Sequence, residues 1–177
     1  MTFSSEMHPG VHPTVPEESR GFVLNHSMLR VKDPTISLDF YTRIMGMRVL
    51  RRLVFPEMKF SLYFLARAEA DAIPADEGER TSWTFSQSGV LELTHNWGTE
   101  TDPDFRYHDG NAKPQGFGHL CFSVPDLQAA VAWFDENDVT FVKRPDQGAM
   151  KDIAFIKDPD GYWIEIVQPA LLKQLGR

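Results

Sequence analysis

The hydrophobic and polar positions along this chain predict the same order of elements twice. In the first half, residues 22–31 have the aromatic and β-branched content of a strand. Asp33 and Pro34 then suit the start of a helix, whose apolar positions recur with a period near 3.6 up to Gly46. Three further main strands are predicted at residues 47–55, 59–66 and 90–95.

A segment of different composition interrupts the first half. Residues 68–80 are small and acidic and contain Pro74 and Gly78, which favours an inserted loop or a short helix. Residues 81–85 are interpreted as a short strand segment.

The second half begins with a predicted strand at residues 116–124 and continues with a helix introduced by Pro125 and Asp126. The buried side of that helix is expected to contain Leu127, Ala130, Val131, Trp133 and Phe134. Strands follow at residues 139–143, 153–157 and 162–167, the last after the turn sequence Asp158-Pro159-Asp160-Gly161. Alternation places Tyr162, Ile164 and Ile166 on one face of this strand and Trp163, Glu165 and Val167 on the other.

A shift of 93 residues aligns the two halves. His26 then falls on His119, Val31 on Val124 and Asp33 on Asp126. Each half is a βαβββ module that begins with a strand bearing His and ends with a strand bearing Glu. The predicted fold class is α+β, with tandem βαβββ modules that form curved mixed sheets and pack against a copy of themselves, within the chain or in a dimer.

The domain organisation follows from this repeat. We expect a mobile N-terminal arm at residues 1–20, the first module at 21–97, a linker or loop at 98–115, the second module at 116–168 and a tail at 169–177.

Composition and charge narrow the function. The net charge of −7, from 18 basic and 25 acidic residues, disfavours nucleic acid as a partner. The chain contains no run of about 18 apolar residues, and its first residues lack an apolar signal core. The single cysteine, Cys121, fits a reducing cytoplasm and is expected to be a buried, inert thiol. We therefore expect a cytoplasmic protein without a membrane partner.

Two imidazoles and two carboxylates stand at matching positions of the repeat. They are His26, Glu92, His119 and Glu165. The first and last strands of a small sheet can lie side by side, so that each His and Glu pair points into one concavity. Such a donor set suits a divalent zinc, nickel, cobalt or iron ion, and the cation would compensate a carboxylate set among apolar side chains.

Each of these residues also has a structural interpretation. His26 and His119 could be strand histidines with local hydrogen bonds, and Glu92 or Glu165 could face water. The remaining histidines, His8, His12, His95 and His108, have no symmetric partner and are expected at the surface or around the site.

Several stretches resemble the glyoxalase/dioxygenase (vicinal oxygen chelate) superfamily, and within it the glyoxalase I family. The stretches are Met28-Leu29-Arg30-Val31-Lys32-Asp33-Pro34, Ser37-Leu38-Asp39-Phe40-Tyr41, Phe60-Ser61-Leu62-Tyr63-Phe64-Leu65-Ala66, Leu91-Glu92-Leu93-Thr94-His95-Asn96-Trp97-Gly98-Thr99-Glu100, Gly116-Phe117-Gly118-His119 and residues 158–166. The resemblance implies a lactoylglutathione lyase, which converts the hemithioacetal of methylglyoxal and glutathione to S-D-lactoylglutathione through an ene-diolate.

The resemblance also assigns roles to residues. It implies that His26, Glu92, His119 and Glu165 bind the metal, and that Glu165, with Glu92 as its counterpart, transfers the proton. Arg30 and Asn96 match positions that hold the γ-glutamyl carboxylate, whereas Lys143, Ala149 and Met150 match the region of the glycyl end. Gln115 stands where relatives often have Arg, and Ala149 where they often have a basic residue, which puts glutathione affinity in question.

Family members are homodimers whose sites take one His and Glu pair from each chain, which implies the same here. The long polar insert and the extended N-terminus resemble those of the zinc-activated, longer family members, which implies zinc as the metal, with nickel or cobalt as alternatives. Two other interpretations remain: a ring-cleaving dioxygenase or thiol transferase on the same scaffold, and a ligand carrier without metal. Glu rather than His at position 92 argues against the dioxygenase.

Overall fold

Two four-stranded mixed sheets form the framework of the protein. The computed structural model describes residues 10–12 and 14–174. Residues 1–9, 13 and 175–177 lie outside the described residues, and with them His8 and the outer parts of the expected arm and tail.

The first sheet has the strand order β1-β4-β3-β2 and carries two helices. Its elements in chain order are β1 (His26–Arg30), α1 (Pro34–Asp39, continued by a π-helical turn at Phe40–Ile44), β2 (Arg48–Phe55), β3 (Phe60–Ala66), α2 (Glu77–Ser86) and β4 (Val90–Asn96). Strands β1 and β4 are parallel, and the other neighbours are antiparallel.

The second sheet repeats this topology with the order β5-β8-β7-β6. Its elements are β5 (His119–Ser123), α3 (Leu127–Glu136), β6 (Phe141–Lys143), β7 (Ile153–Lys157) and β8 (Trp163–Val167). Short 3-10 turns occur at Glu17–Ser19, Pro56–Met58, Ala70–Ala72, Thr99–Thr101 and Pro169–Gln174. The duplicated βαβββ fold predicted from the sequence is therefore confirmed.

Both helix starts have the expected caps. The Asp33 side chain accepts a hydrogen bond from the backbone N–H of Thr35, and that of Asp126 accepts one from Ala129. Each cap satisfies a donor that the first turn of a helix leaves without a partner. Trp133, which was expected on the buried side of its helix, is instead exposed, with 42% of its surface accessible.

One predicted strand is wrong. Residues 81–85 lie within α2, because the Asp76 side chain accepts the backbone N–H of Glu79 and acidic side chains occupy the first turn. A pattern of five residues is too short to distinguish a period of 2 from one of 3.6. The first strand also begins later than predicted, at His26, where its pairing with β4 starts.

The two halves share one hydrophobic core. Leu29, Leu91 and Leu93 of the first sheet pack in the same cluster as Ile164 and Ile166 of the second. The opposite faces of β1, β4, β5 and β8 carry the four candidate ligands. Tyr162, Ile164 and Ile166 share one face as predicted, and that face is buried in the core, whereas Glu165 lies on the other face.

The Asp-Pro-Asp-Gly turn joins the halves by hydrogen bonds. Asp158 Oδ2 accepts the hydroxyl of Tyr41 at 2.8 Å, and Asp160 accepts the backbone N–H of Lys32 and the hydroxyl of Ser37. Burial raises the pKa of Asp158 to about 7.

No helix in the described part of the chain is long and apolar enough to cross a membrane.

Candidate functional site

The first His and Glu pair lies on neighbouring parallel strands. His26 opens β1, and Glu92 lies in the middle of β4 on the same side of the sheet. The imidazole Nε2 of His26 is 3.0 Å from Oε2 of Glu92. The other carboxylate oxygen, Oε1, accepts a hydrogen bond from the Thr94 hydroxyl at 2.8 Å. Glu92 is therefore held on both oxygens.

The second pair occupies the equivalent place in the second sheet. Nε2 of His119 in β5 lies 3.4 Å from Oε2 of Glu165 in β8. These side chains are 40% and 20% exposed, against 31% and 12% for His26 and Glu92. The second pair is thus looser and closer to solvent than the first.

Cys121 was predicted to be a buried thiol, but this prediction is wrong. It is exposed and lies directly opposite Glu165 in the register of β5 and β8. Side chains alternate along a strand, and Cys121 shares the face of His119 rather than that of the core residues Leu120 and Phe122. Partial burial and the hydrogen bond to the Glu165 carboxylate raise the pKa of its thiol to about 11.

Aromatic rings stand beside both imidazoles. The ring of His26 meets Phe64 edge-on at 5.6 Å and Phe85 of α2 at 6.1 Å, and His119 meets Phe155 at 5.3 Å. Phe64 belongs to a second apolar cluster in which Trp83 of α2 packs on the site face of the first sheet. The pairs therefore lie at the edge of apolar surfaces.

The residues expected to bind a substrate fall into two groups. Arg30 and Asn96 lie on the face of the first sheet that carries Glu92, where the Asn96 amide donates to the Tyr107 hydroxyl at 3.0 Å. Lys143, Ala149 and Met150 lie at β6 and in the loop after it.

Two of the expected substrate residues have a distinct setting. The Lys143 ammonium donates to the carbonyls of Ile153 and Arg144, and burial lowers its pKa. Gln115 lies in the exposed loop that precedes β5.

One chain does not bring the four candidate ligands together. Among residues 10–12 and 14–174, no group of three or more His, Cys, Asp and Glu side chains could hold a metal ion. The two pairs lie on separate sheets of the chain. Each pair, or half-site, still offers one imidazole nitrogen and one carboxylate, a donor set that fits a divalent transition metal.

Sequence reasoning missed three residues around the first pair. Thr94 holds Glu92, Phe85 stands beside His26, and Asn25 accepts a hydrogen bond from the His26 ring. Only Thr94 left a signal, since it lies two positions after Glu92 and shares its face. His95 is buried rather than exposed and pairs with Glu100 at 2.7 Å.

The topology and the paired half-sites define a class of protein. Residues 23–166 match the family model of the Glyoxalase/Bleomycin resistance protein/Dioxygenase superfamily, and the chain belongs to this superfamily. Within it, the chain is similar over its full length to proteins named lactoylglutathione lyase. The protein of Pseudomonas aeruginosa is 55% identical over 177 residues, which cover 100% of this chain and 99% of the relative.

Other relatives carry related names. The glyoxalase I of Saccharomyces cerevisiae is 50% identical over 146 residues, or 82% of this chain and 44% of that protein. Among solved structures, the trypanothione-dependent glyoxalase I of Leishmania major is 32% identical with a TM-score of 0.62, over 84% of this chain and 88% of that one. Glyoxalase I from Zea mays has the same TM-score at 26% identity, over 82% of this chain and 44% of that one.

Proposed function

We propose that this protein is a metal-dependent lactoylglutathione lyase, or glyoxalase I. It converts the hemithioacetal formed from methylglyoxal and glutathione to S-D-lactoylglutathione. The observation that carries this proposal is the pairing of His26 with Glu92 and of His119 with Glu165 on equivalent faces of two duplicated sheets. The names of the relatives agree with it.

The complete site is proposed to form between two copies of the chain. Each copy contributes His26 and Glu92 to one site and His119 and Glu165 to the other. Strands β1 and β5 are edge strands, and a groove of about 490 Å³ lies between them. Beside β1, Phe22 and Leu24 are 80% and 82% exposed, an apolar surface that a second copy would cover.

Zinc is the proposed metal, with nickel or cobalt as alternatives. A bound divalent ion would stabilise the negative charge that develops on substrate oxygens as the proton leaves carbon. The four ligands fit any of these three ions, and the preference for zinc rests on the resemblance of the longer chain to zinc-activated relatives.

Glu165 is the proposed base and acid. Its carboxylate takes the proton from C1 of the hemithioacetal and returns it to C2, so that the aldehyde-derived carbon becomes the thioester carbonyl. Glu92 is held by Thr94 and His26, whereas Glu165 has a longer contact with its imidazole and greater exposure. The less restrained carboxylate is the one that can move between two carbons.

The glutathione part of the substrate is proposed to contact both half-sites. Arg30 and Asn96 receive the γ-glutamyl carboxylate, and Lys143, Ala149 and Met150 receive the glycyl end. Gln115 supplies a neutral amide where relatives often have the charged guanidinium of Arg. This predicts weaker binding of glutathione rather than a different reaction. A cytoplasmic location is proposed on the single cysteine and the use of glutathione.

The test measures formation of the thioester by its absorbance, with methylglyoxal and either glutathione or trypanothione. Activity with glutathione, its loss after a chelator and its return with zinc, nickel or cobalt would support the proposal. The variant His26→Ala should lose activity, whereas His12→Ala removes an exposed imidazole outside the site and should retain it. Activity that survives complete metal removal, or a metal-loaded active monomer in sedimentation, would contradict the proposal.

A further inference from the structure

Asn25 connects the first imidazole to the inserted helix. Its amide nitrogen Nδ2 donates to the carbonyl of Thr84 at 2.9 Å and to that of Gln87 at 2.8 Å, both at the carboxyl end of α2. Its oxygen Oδ1 lies 2.7 Å from Nδ1 of His26. All three contacts are part-buried, and the two with the α2 carbonyls join residues 59 and 62 positions apart in the chain.

The two carbonyls fix the orientation of the Asn25 amide. An amide nitrogen has two hydrogens, and here each finds one carbonyl oxygen. Rotation of the amide by 180° would place Oδ1 against the carbonyl oxygens of Thr84 and Gln87. All three oxygens are hydrogen-bond acceptors, and no donor would lie between them. Oδ1 must therefore face His26, and the ring nitrogen Nδ1 must be the donor.

We propose that Asn25 is a positioning residue that makes His26 bind the metal through Nε2. This inference rests on the function proposed above. When Nδ1 carries the proton that Oδ1 accepts, only Nε2 is available as a ligand. That nitrogen is the one that faces Glu92, at 3.0 Å. Asn25 thus selects the nitrogen and fixes the plane of the ring.

The second half has no equivalent of this arrangement. The shift of 93 residues that aligns His26 with His119 places Gly118 on Asn25, and glycine has no side chain to offer. Within residues 10–12 and 14–174, Nδ1 of His119 has no hydrogen-bond partner. The insert that contains α2 also occurs only in the first half. We therefore assign α2 a function: its last carbonyls hold the residue that orients one metal ligand.

The first measurement is metal affinity. The variant Asn25→Ala should bind zinc about 10–100-fold more weakly than the wild type in competition with a coloured chelator. Asn137→Ala is the matched control, because Asn137 likewise joins the end of a helix, α3, to the other half through its side chain. That control should leave zinc affinity unchanged. Equal affinity of Asn25→Ala and the wild type would overturn the inference.

The second measurement uses only the wild-type protein, so it does not depend on whether a variant folds. In zinc-loaded wild-type protein with ¹⁵N-labelled histidine, one imidazole should show a protected Nδ1–H and zinc on Nε2, and assignment should identify it as His26. Zinc on Nδ1 of His26 would overturn the inference while leaving the proposed function intact. Wild-type protein that binds no divalent metal would overturn both.

Discussion

Glu92 and Glu165 occupy matching positions in the two halves but have different surroundings. Thr94 donates to Glu92, and the contact between Glu92 and His26 is shorter than that between Glu165 and His119. Glu165 instead accepts a hydrogen bond from the Cys121 thiol, and a thiol is a weak donor. At the scale of single residues, the duplication has thus produced one fixed and one less restrained carboxylate.

The variant Glu165→Gln tests this difference. Glutamine keeps the size of the side chain but cannot accept and return a proton, so kcat should fall by about 10²–10⁴-fold. Metal content and the free energy of unfolding should change little, because the remaining three ligands stay in place. Measurement of kcat beside metal analysis separates the two effects.

The outcome that would contradict this role is a rate like that of the wild type. Such a rate would show that Glu165 does not transfer the proton. The matched variant Glu92→Gln would then show whether the other carboxylate transfers it.

The sequence was sufficient to find the four candidate ligands but not their supports. The ligands were visible because the repeat places His and Glu at equivalent positions, which needs no knowledge of packing. Asn25 gave no such signal, because its partners are main-chain carbonyls of α2. Those carbonyls converge only after the insert has folded onto the first sheet.

Among the elements, the insert was the least predictable. Strands β2, β3 and β7 begin and end within one residue of their predicted positions, because each is rich in aromatic or β-branched residues and turn residues such as Gly46, Pro56 and Asp158 stand nearby. Helix α2 was divided between a segment predicted as a loop or short helix, residues 68–80, and a strand at residues 81–85, since its sequence is largely polar. Trp83 packs against the cluster of Leu50, Phe64, Ala66 and Val90, and such tertiary packing stabilises a short helix more than its local sequence does.

The loop between the halves contains a glycine with a strict backbone requirement. Gly110 has φ of +88°, and a Cβ there would lie 1.9 Å from the carbonyl oxygen of Phe117. The variant Gly110→Ala should therefore have a lower free energy of unfolding for two reasons. Alanine is strained in the left-handed backbone conformation, and its Cβ would displace the backbone at Phe117.

Gly89→Ala is the matched control. Gly89 also has a positive φ, +69°, but a Cβ there meets nothing within 4 Å. The control should cost about 1 kcal/mol, and Gly110→Ala about 2 kcal/mol more. Urea denaturation measures the free energy of unfolding of both variants. Equal decreases would contradict the prediction, because they would show that the backbone at Phe117 can move away from the new Cβ at no energetic cost.

At the scale of the whole molecule, the hydrogen bonds of Asp158 link the halves through a buried carboxyl. Tyr41 Oη donates to Oδ2, and the backbone N–H groups of Asp160 and Tyr162 donate to Oδ1. Burial raises the pKa of Asp158 to about 7, from 3.8 for an unperturbed carboxyl. The same burial, with the nearby carboxylates, raises the pKa of Tyr41 well above its usual value.

This raised pKa predicts a direction for the pH dependence of stability. The folded state keeps a proton that the unfolded state releases above pH 3.8, so the contribution of Asp158 is fully present below that pH and is lost as the pH rises through about 7. The variant Asp158→Asn cannot ionise and should therefore gain stability relative to the wild type between pH 5 and pH 8. Urea denaturation at both pH values measures the difference, and a pH-independent difference would refute the assignment.

Because α2 is present in only one half, the two sides of each proposed site are unlike. One side has a ring oriented by an amide and a carboxylate held by a hydroxyl, and among the residues that the structure describes the other side has neither support. The hemithioacetal is chiral, so its mirror-image forms present their hydrogen to different walls. A duplication that began as two equal halves has in this way lost the equivalence of its two sides, so each mirror-image form presents its hydrogen to a differently held carboxylate.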